Sequence, residues 1–201
     1  MKTALLSLGL GLLGCAPTVS HAQTPSDPFV FVIGSTETAD YVWWSKASLV
    51  RPTGTVVSGV ALDALNAARG EDENKWCFAN ALSAASFTSP FRSIQAAIDE
   101  TMRDEYLPGF QASGSFTGQG DQDAVVGNFE DCYGNQGAFL LITNREEPRQ
   151  VVYVREWADW KGFIWLSKNG DELSVGSCLY CDDVRTLSYD RARGRFYWPE
   201  D

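Results

Sequence analysis

The sequence predicts an α+β or mainly β domain of antiparallel sheets with one amphipathic helix, stapled by disulfides. Three observations carry that expectation. Short apolar runs of period 2, each bounded by turn residues, fill the last third of the chain. One segment, beginning at Ser89, has helical spacing. Beyond the first 22 residues the cysteines are Cys77, Cys132, Cys178 and Cys181, an even set that suits an oxidising compartment.

The chain opens with a pattern of export. Lys2 supplies a positive charge, Ala4 to Gly14 a short apolar core, and Ser20-His21-Ala22 a small-x-small cleavage site, so residues 1–22 read as a signal peptide. A competing pattern, Leu12-Leu13-Gly14-Cys15, resembles a bacterial lipobox and would place a lipid anchor on Cys15. Neither this core nor any later run is long enough for a transmembrane helix. Gly9-Leu10-Gly11-Leu12-Leu13-Gly14 matches a dinucleotide fingerprint, but no strand precedes it, so the match is accidental.

After the leader, Phe29 to Ile33 and Tyr41 to Trp44 have β character. Residues 47–51 and 55–60 flank Pro52-Thr53-Gly54, which predicts a hairpin turning there. Residues 66–76, NAARGEDENKW, read as a charged loop, and Cys77 to Phe87 fits helix or strand equally. Ser89 is a good N-cap and Pro90 suits the first helical position. Phe91, Ile94, Ile98 and Met102 then share one helical face, and Leu107-Pro108-Gly109 ends the run. From Ala124 the predicted strands are 124–129, 138–143, 150–157, 162–167, 172–178, 184–190 and 195–198, with hairpin turns at Asn169-Gly170 and Arg193-Gly194. A division into an N-terminal hairpin-plus-helix region (23–110) and a β-rich region (111–201) follows, the two expected to pack as one unit.

Charge and composition exclude several functions. Lys2 is the one charged residue of the leader, so the remainder keeps 15 of the 16 basic side chains against 26 acidic ones, a net charge of −11. Such a surface repels phosphate backbones, and nucleic acid is not an expected partner. The single histidine, His21, lies in the leader, which removes imidazole-based triads and His-ligated metal sites from the rest of the chain. No G-x-S-x-G, S-x-x-K or Walker loop is present.

Three constellations remain. Residues 114–126, GSFTGQGDQDAVV, resemble the loop of FG-GAP or VCBS repeats, D-x-[DN]-x-D-G-x-x-D followed by an apolar strand. Phe116, Gly118, Gly120, Asp123 and Ala124-Val125-Val126 keep that pattern, while Ser115, Thr117 and Gln119 occupy the first ligand positions. The resemblance implies a partial propeller-like sandwich and a degenerate calcium loop, in which Asp121 and Asp123 could hold the ion weakly. The loop is expected to be shaped by Gly turns and side-chain-to-backbone bonds rather than by metal. Separately, Trp44, Lys46, Ser48, Leu49, Arg51 and Gly54 form a W-x-K-x-S-L-x-R-x-x-G pattern, by which residues 41–65 resemble surface-adhesin protein E-like domains.

Cys178-Leu179-Tyr180-Cys181 is a C-x-x-C, but a β-like segment precedes it and Asp182 and Asp183 follow, which oppose thiolate formation. It is expected to be structural, and the pairing of the four cysteines stays open among three connectivities. Glu156-Trp157-Ala158-Asp159-Trp160 sets two carboxylates beside two indoles, a composition suited to sugars; carbohydrate chemistry there requires a Trp-lined cleft around Glu156 and Asp159.

The chain is therefore expected to be an exported, non-enzymatic binding or structural protein of a bacterial periplasm or cell surface, without cofactor. Its partner would be a protein or a cell-envelope component. A hydrolase inhibitor presenting Tyr180 and Asp182, or a carbohydrate-binding protein using Trp157 and Trp160, are the alternatives.

Overall fold

A computed structural model of the chain describes residues 48–70, 73–88, 109–178 and 184–199. The export signal with Cys15, the expected strands before residue 45, the expected helix from Ser89, and Tyr180, Cys181 and Asp182 lie outside these residues.

The centre of the fold is a five-stranded antiparallel sheet. Its strands are β4 (Trp76–Ala81), β6 (Gln111–Gly114), β7 (Gln122–Asp131), β8 (Gln136–Asn144) and β9 (Val151–Ala158). β7 pairs with β8 from Gln122 to Glu130. Its other side is shared, residues 122–125 with β6 and 127–131 with β4. β7 and β8 are buried on both faces, which is why each reads as a nearly continuous apolar run rather than an alternating one.

Alternation then assigns the faces. Ala124, Val126, Ala138, Leu140 and Ile142 join one core cluster, while Val125, Phe129, Phe139 and Leu141 join another. The first cluster is closed by a four-stranded antiparallel sheet made of β10 (Trp165–Asn169), β11 (Glu172–Gly176), β12 (Val184–Asp190) and β13 (Arg195–Tyr197). Leu166, Leu173 and Leu187 reach inward from it, with Phe163 from the segment that leads into β10. The second cluster is closed by the hairpin β2 (Val56–Val57) and β3 (Val60–Ala61), followed by the helix α1 (Leu62–Arg69). Trp76 stacks on Phe129 there, with ring centroids 4.6 Å apart. The result is a mainly β domain with a single short helix among the described residues.

Two N-terminal expectations are corrected. The hairpin turns at Ser58-Gly59, not at Pro52-Thr53-Gly54: Val57 pairs with Val60, and both turn residues have positive φ, as a two-residue primed turn requires. Gly54 instead docks on β4, accepting from the Ala79 N–H and donating to Asn80 Oδ1 at 2.9 Å each. A Cβ at Gly54 would stand 2.6 Å from that Oδ1, so the glycine is selected for close approach. β1 (Ser48–Leu49) pairs with β5 (Phe87–Thr88), which follows the 3₁₀ turn Ala84–Ser86.

The second correction concerns residues 66–69, expected in a charged loop and found in α1. Leu62 and Leu65 bury one face of that helix, and the polarity of Asn66 and Arg69 conceals it because both are used structurally. The Asn66 amide accepts from Trp76 N (2.8 Å) and donates to Trp76 O (3.0 Å), extending β4 with a side chain.

The ambiguity over 77–87 resolves as strand to residue 81. The C-terminal turns fall where Gly predicts them. Gly170, φ 63°, turns β10 into β11, and Gly194, φ 65°, closes a loop whose Ala192 and Arg193 amides are capped by Asp190. Cys77 is bonded to Cys132. Cys178 is also disulfide-bonded, to a partner outside the described residues. No described helix is long and apolar enough to cross a membrane.

Candidate functional site

Three clefts contain Asp123, Glu156, Asp159, Trp157 and Trp160 among the residues that sequence reasoning singled out. The largest, about 620 Å³, lies beside β6 and β7 and includes Ser58, Ser113, Asp123, Arg145 and Arg149. Asp123 is its hub. One carboxylate oxygen accepts from Ser113 Oγ (2.7 Å) and Arg145 Nε (2.9 Å), the other from Arg149 Nη1 (3.0 Å). Burial opposes the charge on Asp123, yet these hydrogen bonds and the two guanidinium charges hold its carboxyl below the usual carboxylate range. Asp121, largely exposed, lies 3.8 Å from Arg145 Nη1.

The loop preceding Asp123 is knitted internally. Thr117 Oγ1 donates to Gln119 O (3.0 Å) and accepts from Gln119 N (3.2 Å), while Gln122 Nε2 donates to Gln119 O (2.6 Å). Gly118 and Gly120 have φ of 72° and 66°, which makes the tight turn possible. Thr117 and Asp123 are therefore turned to separate partners. Among the described residues no group of three or more His, Cys, Asp or Glu side chains gathers as a metal would require.

A second cleft, about 310 Å³, lies between α1 and the β7–β8 turn and includes Arg69, Asp131, Glu156 and Asp159. Arg69 pairs with Glu156 and lies over the Trp76 ring, 4.3 Å from its centroid, and the Trp76 indole also donates to Glu156 (3.1 Å). Asp131 is buried, and burial opposes its charge. Amides of Tyr133 (2.9 Å) and Asn135 (2.8 Å), with the side chains of Asn135 and Asn74, nonetheless lower its pKa. Its work is to shape the turn between β7 and β8. On the opposite face of β7, Glu130 receives Arg51 through two guanidinium nitrogens and Gln136 through its amide, which lowers its pKa too.

The third cleft, about 330 Å³, lies between β9 and the four-stranded sheet. Its walls are the indoles of Trp157, Trp160 and Trp198, with Ile164 and Val175 beneath and Arg155 and Arg185 at its edge. Trp157 meets Trp198 edge to face, centroids 6.3 Å apart at 68°, and Trp198 is oriented by donating to Tyr153 Oη (3.1 Å). Gly176 lies flat against the Trp165 ring, where a Cβ would come within 2.3 Å. Trp165 in turn donates to Cys178 O at 3.0 Å.

Trp157 and Trp160 share one cleft. The expectation that Glu156 and Asp159 stand in that cleft is corrected: both line the second one. Successive residues of a strand point to opposite faces, so on β9 Tyr153, Arg155 and Trp157 face the four-stranded sheet while Val154 and Glu156 face α1. Sequence reasoning missed Arg155, Arg185 and Trp198. The period-2 signal Tyr153-x-Arg155-x-Trp157 could have found the first, whereas Arg185 and Trp198 arrive only through the packing of the two sheets.

Among the described residues, only the third of these clefts lacks an acidic side chain in its lining. The arginines of the others are held by carboxylates of their own cleft. The third is the candidate site. No family model, curated protein or solved structure matches the chain.

Proposed function

We propose that this is an exported, non-enzymatic binding protein of the cell envelope, and that the Trp157–Trp160–Trp198 cleft is where it binds. The carrying observation is the separation of indoles from carboxylates: among the described residues, a cleft that can hold a flat ligand has no carboxylate in its lining to act as general acid or base. The leader pattern of residues 1–22, with cleavage after Ala22 or lipidation at Cys15, supports export. Disulfides on Cys77, Cys132 and Cys178 accord with an oxidising compartment. In this reading the 114–126 loop is a structural connector of an FG-GAP-like unit, its Thr117 and Gln122 bonds replacing the acidic ligands.

Sedimentation with isolated, protein-free envelope polymer tests the proposal. The wild-type chain is expected to co-sediment, and the double substitution Trp157→Ala, Trp160→Ala to remain in solution. Equal retention of both would move binding away from this cleft. Intact mass of the exported protein distinguishes a free chain beginning at Gln23 from one lipidated at Cys15.

A further inference from the structure

We infer that the ligand of this cleft is an acidic saccharide, a sugar chain whose rings stack on Trp157 and Trp160 and whose carboxylate is met by Arg155. The inference rests on the reading of this cleft as the binding site and adds the chemical class. Charge is the first argument. The chain carries a formal net charge of −10, and the arginines of both other clefts are paired with carboxylates of those clefts, yet here Arg155 stands with no acid among the described lining residues. A guanidinium presents a planar fork that matches a carboxylate, which an indole shelf alone does not select. Arg155 is exposed and makes no ion pair among the described residues.

Shape and hydrogen bonding supply the other arguments. Trp160 keeps 37 % of its surface exposed, and Trp157 is half-buried, so the indoles form an open shelf. An aromatic carboxylate gains most when both its faces are covered, as in an enclosed pocket. A pyranose ring has an apolar face to lay on indole and hydroxyls to leave in water, so it fits an open shelf. Among the described residues the indole N–H groups of Trp157 and Trp160 make no hydrogen bond to the protein, whereas those of Trp165 and Trp198 do. Two uncommitted donors beside an arginine suit a hydroxylated anion.

The test titrates the secreted full chain, by calorimetry and tryptophan fluorescence, with trigalacturonate, its methyl ester and neutral galactotriose. Trigalacturonate is expected to bind, with the ester and the neutral sugar at least tenfold weaker. Arg155→Met keeps the apolar stem and removes the charge; it is expected to erase that preference while the thermal melt stays unchanged. Raising salt should weaken only the acidic sugar. Equal affinity for acid and ester, both lost in Trp160→Ala, would overturn the acidic class and leave the cleft as the binding site. Failure of every sugar to bind the folded chain would overturn the saccharide, while co-sedimentation would still decide the cleft. Should Trp160→Ala not fold, the comparison of acid with ester on Arg155→Met and wild type stands alone.

Discussion

The disulfide between Cys77 and Cys132 should contribute about 4 kcal/mol to stability, almost all of it through the unfolded chain. Cys77 sits at the β-bulge of β4, the extra residue between Trp76, opposite Asp131, and Phe78, opposite Glu130. Cys132 follows β7 directly and is exposed, so little packing is lost when the sulfurs go. The bond closes a loop of sequence separation 55. The chain-entropy relation for such a loop gives about 14 cal/mol/K, or about 4 kcal/mol at 25 °C. The measurement is guanidinium unfolding of the Cys77→Ser, Cys132→Ser double variant against wild type, followed by tryptophan fluorescence, with the Cys178 disulfide left oxidised. The midpoint should fall sharply, and the slope should rise a little because the freed chain exposes more surface on unfolding. A loss below about 1 kcal/mol would refute the reasoning, since the relation requires an unfolded ensemble open enough for the cross-link to constrain.

Four further outcomes follow from the same structure. Asp123, Glu130 and Asp131 all have lowered pKa values in the folded chain, so their stabilisation is present above the ordinary carboxylate range and is lost as pH falls through the folded values. Denaturant midpoints should be flat from about pH 7 to 5 and drop below about pH 4; a midpoint unchanged at pH 3 would contradict this. Gly176→Ala forces a Cβ into the Trp165 ring and should cost about 1–3 kcal/mol in a denaturation curve while altering the near-ultraviolet signal of the indoles. Thr143 Oγ1 is buried without a hydrogen-bond partner among the described residues, so Thr143→Val should be neutral or stabilising by up to about 1 kcal/mol in the same assay. Calcium at millimolar concentration should leave the melting temperature unmoved; a rise that Asp123→Ala abolishes would restore a metal role to the 114–126 loop.

The parts of this fold legible in the sequence are those where one physical term dominates. Val125, Phe129, Phe139 and Leu141 alternate with Ala124, Val126, Ala138 and Ile142 because two layers cover the sheet, and any strand assignment must accept so long an apolar run. Gly170 and Gly194 mark turns because positive φ leaves few other residues possible. The N-terminal segment was less legible because two short elements compete for the same glycines and prolines. Gly54 looked like a turn and is a docking point, a distinction that depends on Asn80, 26 residues away. Asn66 and Arg69 looked like solvated loop because their partners, Trp76 and Glu156, come from strands that sequence spacing cannot bring near.

The dipeptide Glu156-Trp157 holds the functional form of that problem. In sequence the carboxylate and the indole are adjacent, and a sugar-cleaving site is the natural thought. In the sheet their side chains leave β9 on opposite faces, Glu156 to pair with Arg69 and Trp76, Trp157 to meet Trp198. Glycoside hydrolysis needs two carboxyls facing each other across the ring that is bound. Among its described lining residues the indole cleft has arginine and no carboxylate, and Glu156 is committed to a guanidinium and an indole N–H on the far face. Alternation therefore places Glu156 and Trp157 in separate clefts, the carboxylate in the one beside α1 and the indole in the one beside the four-stranded sheet.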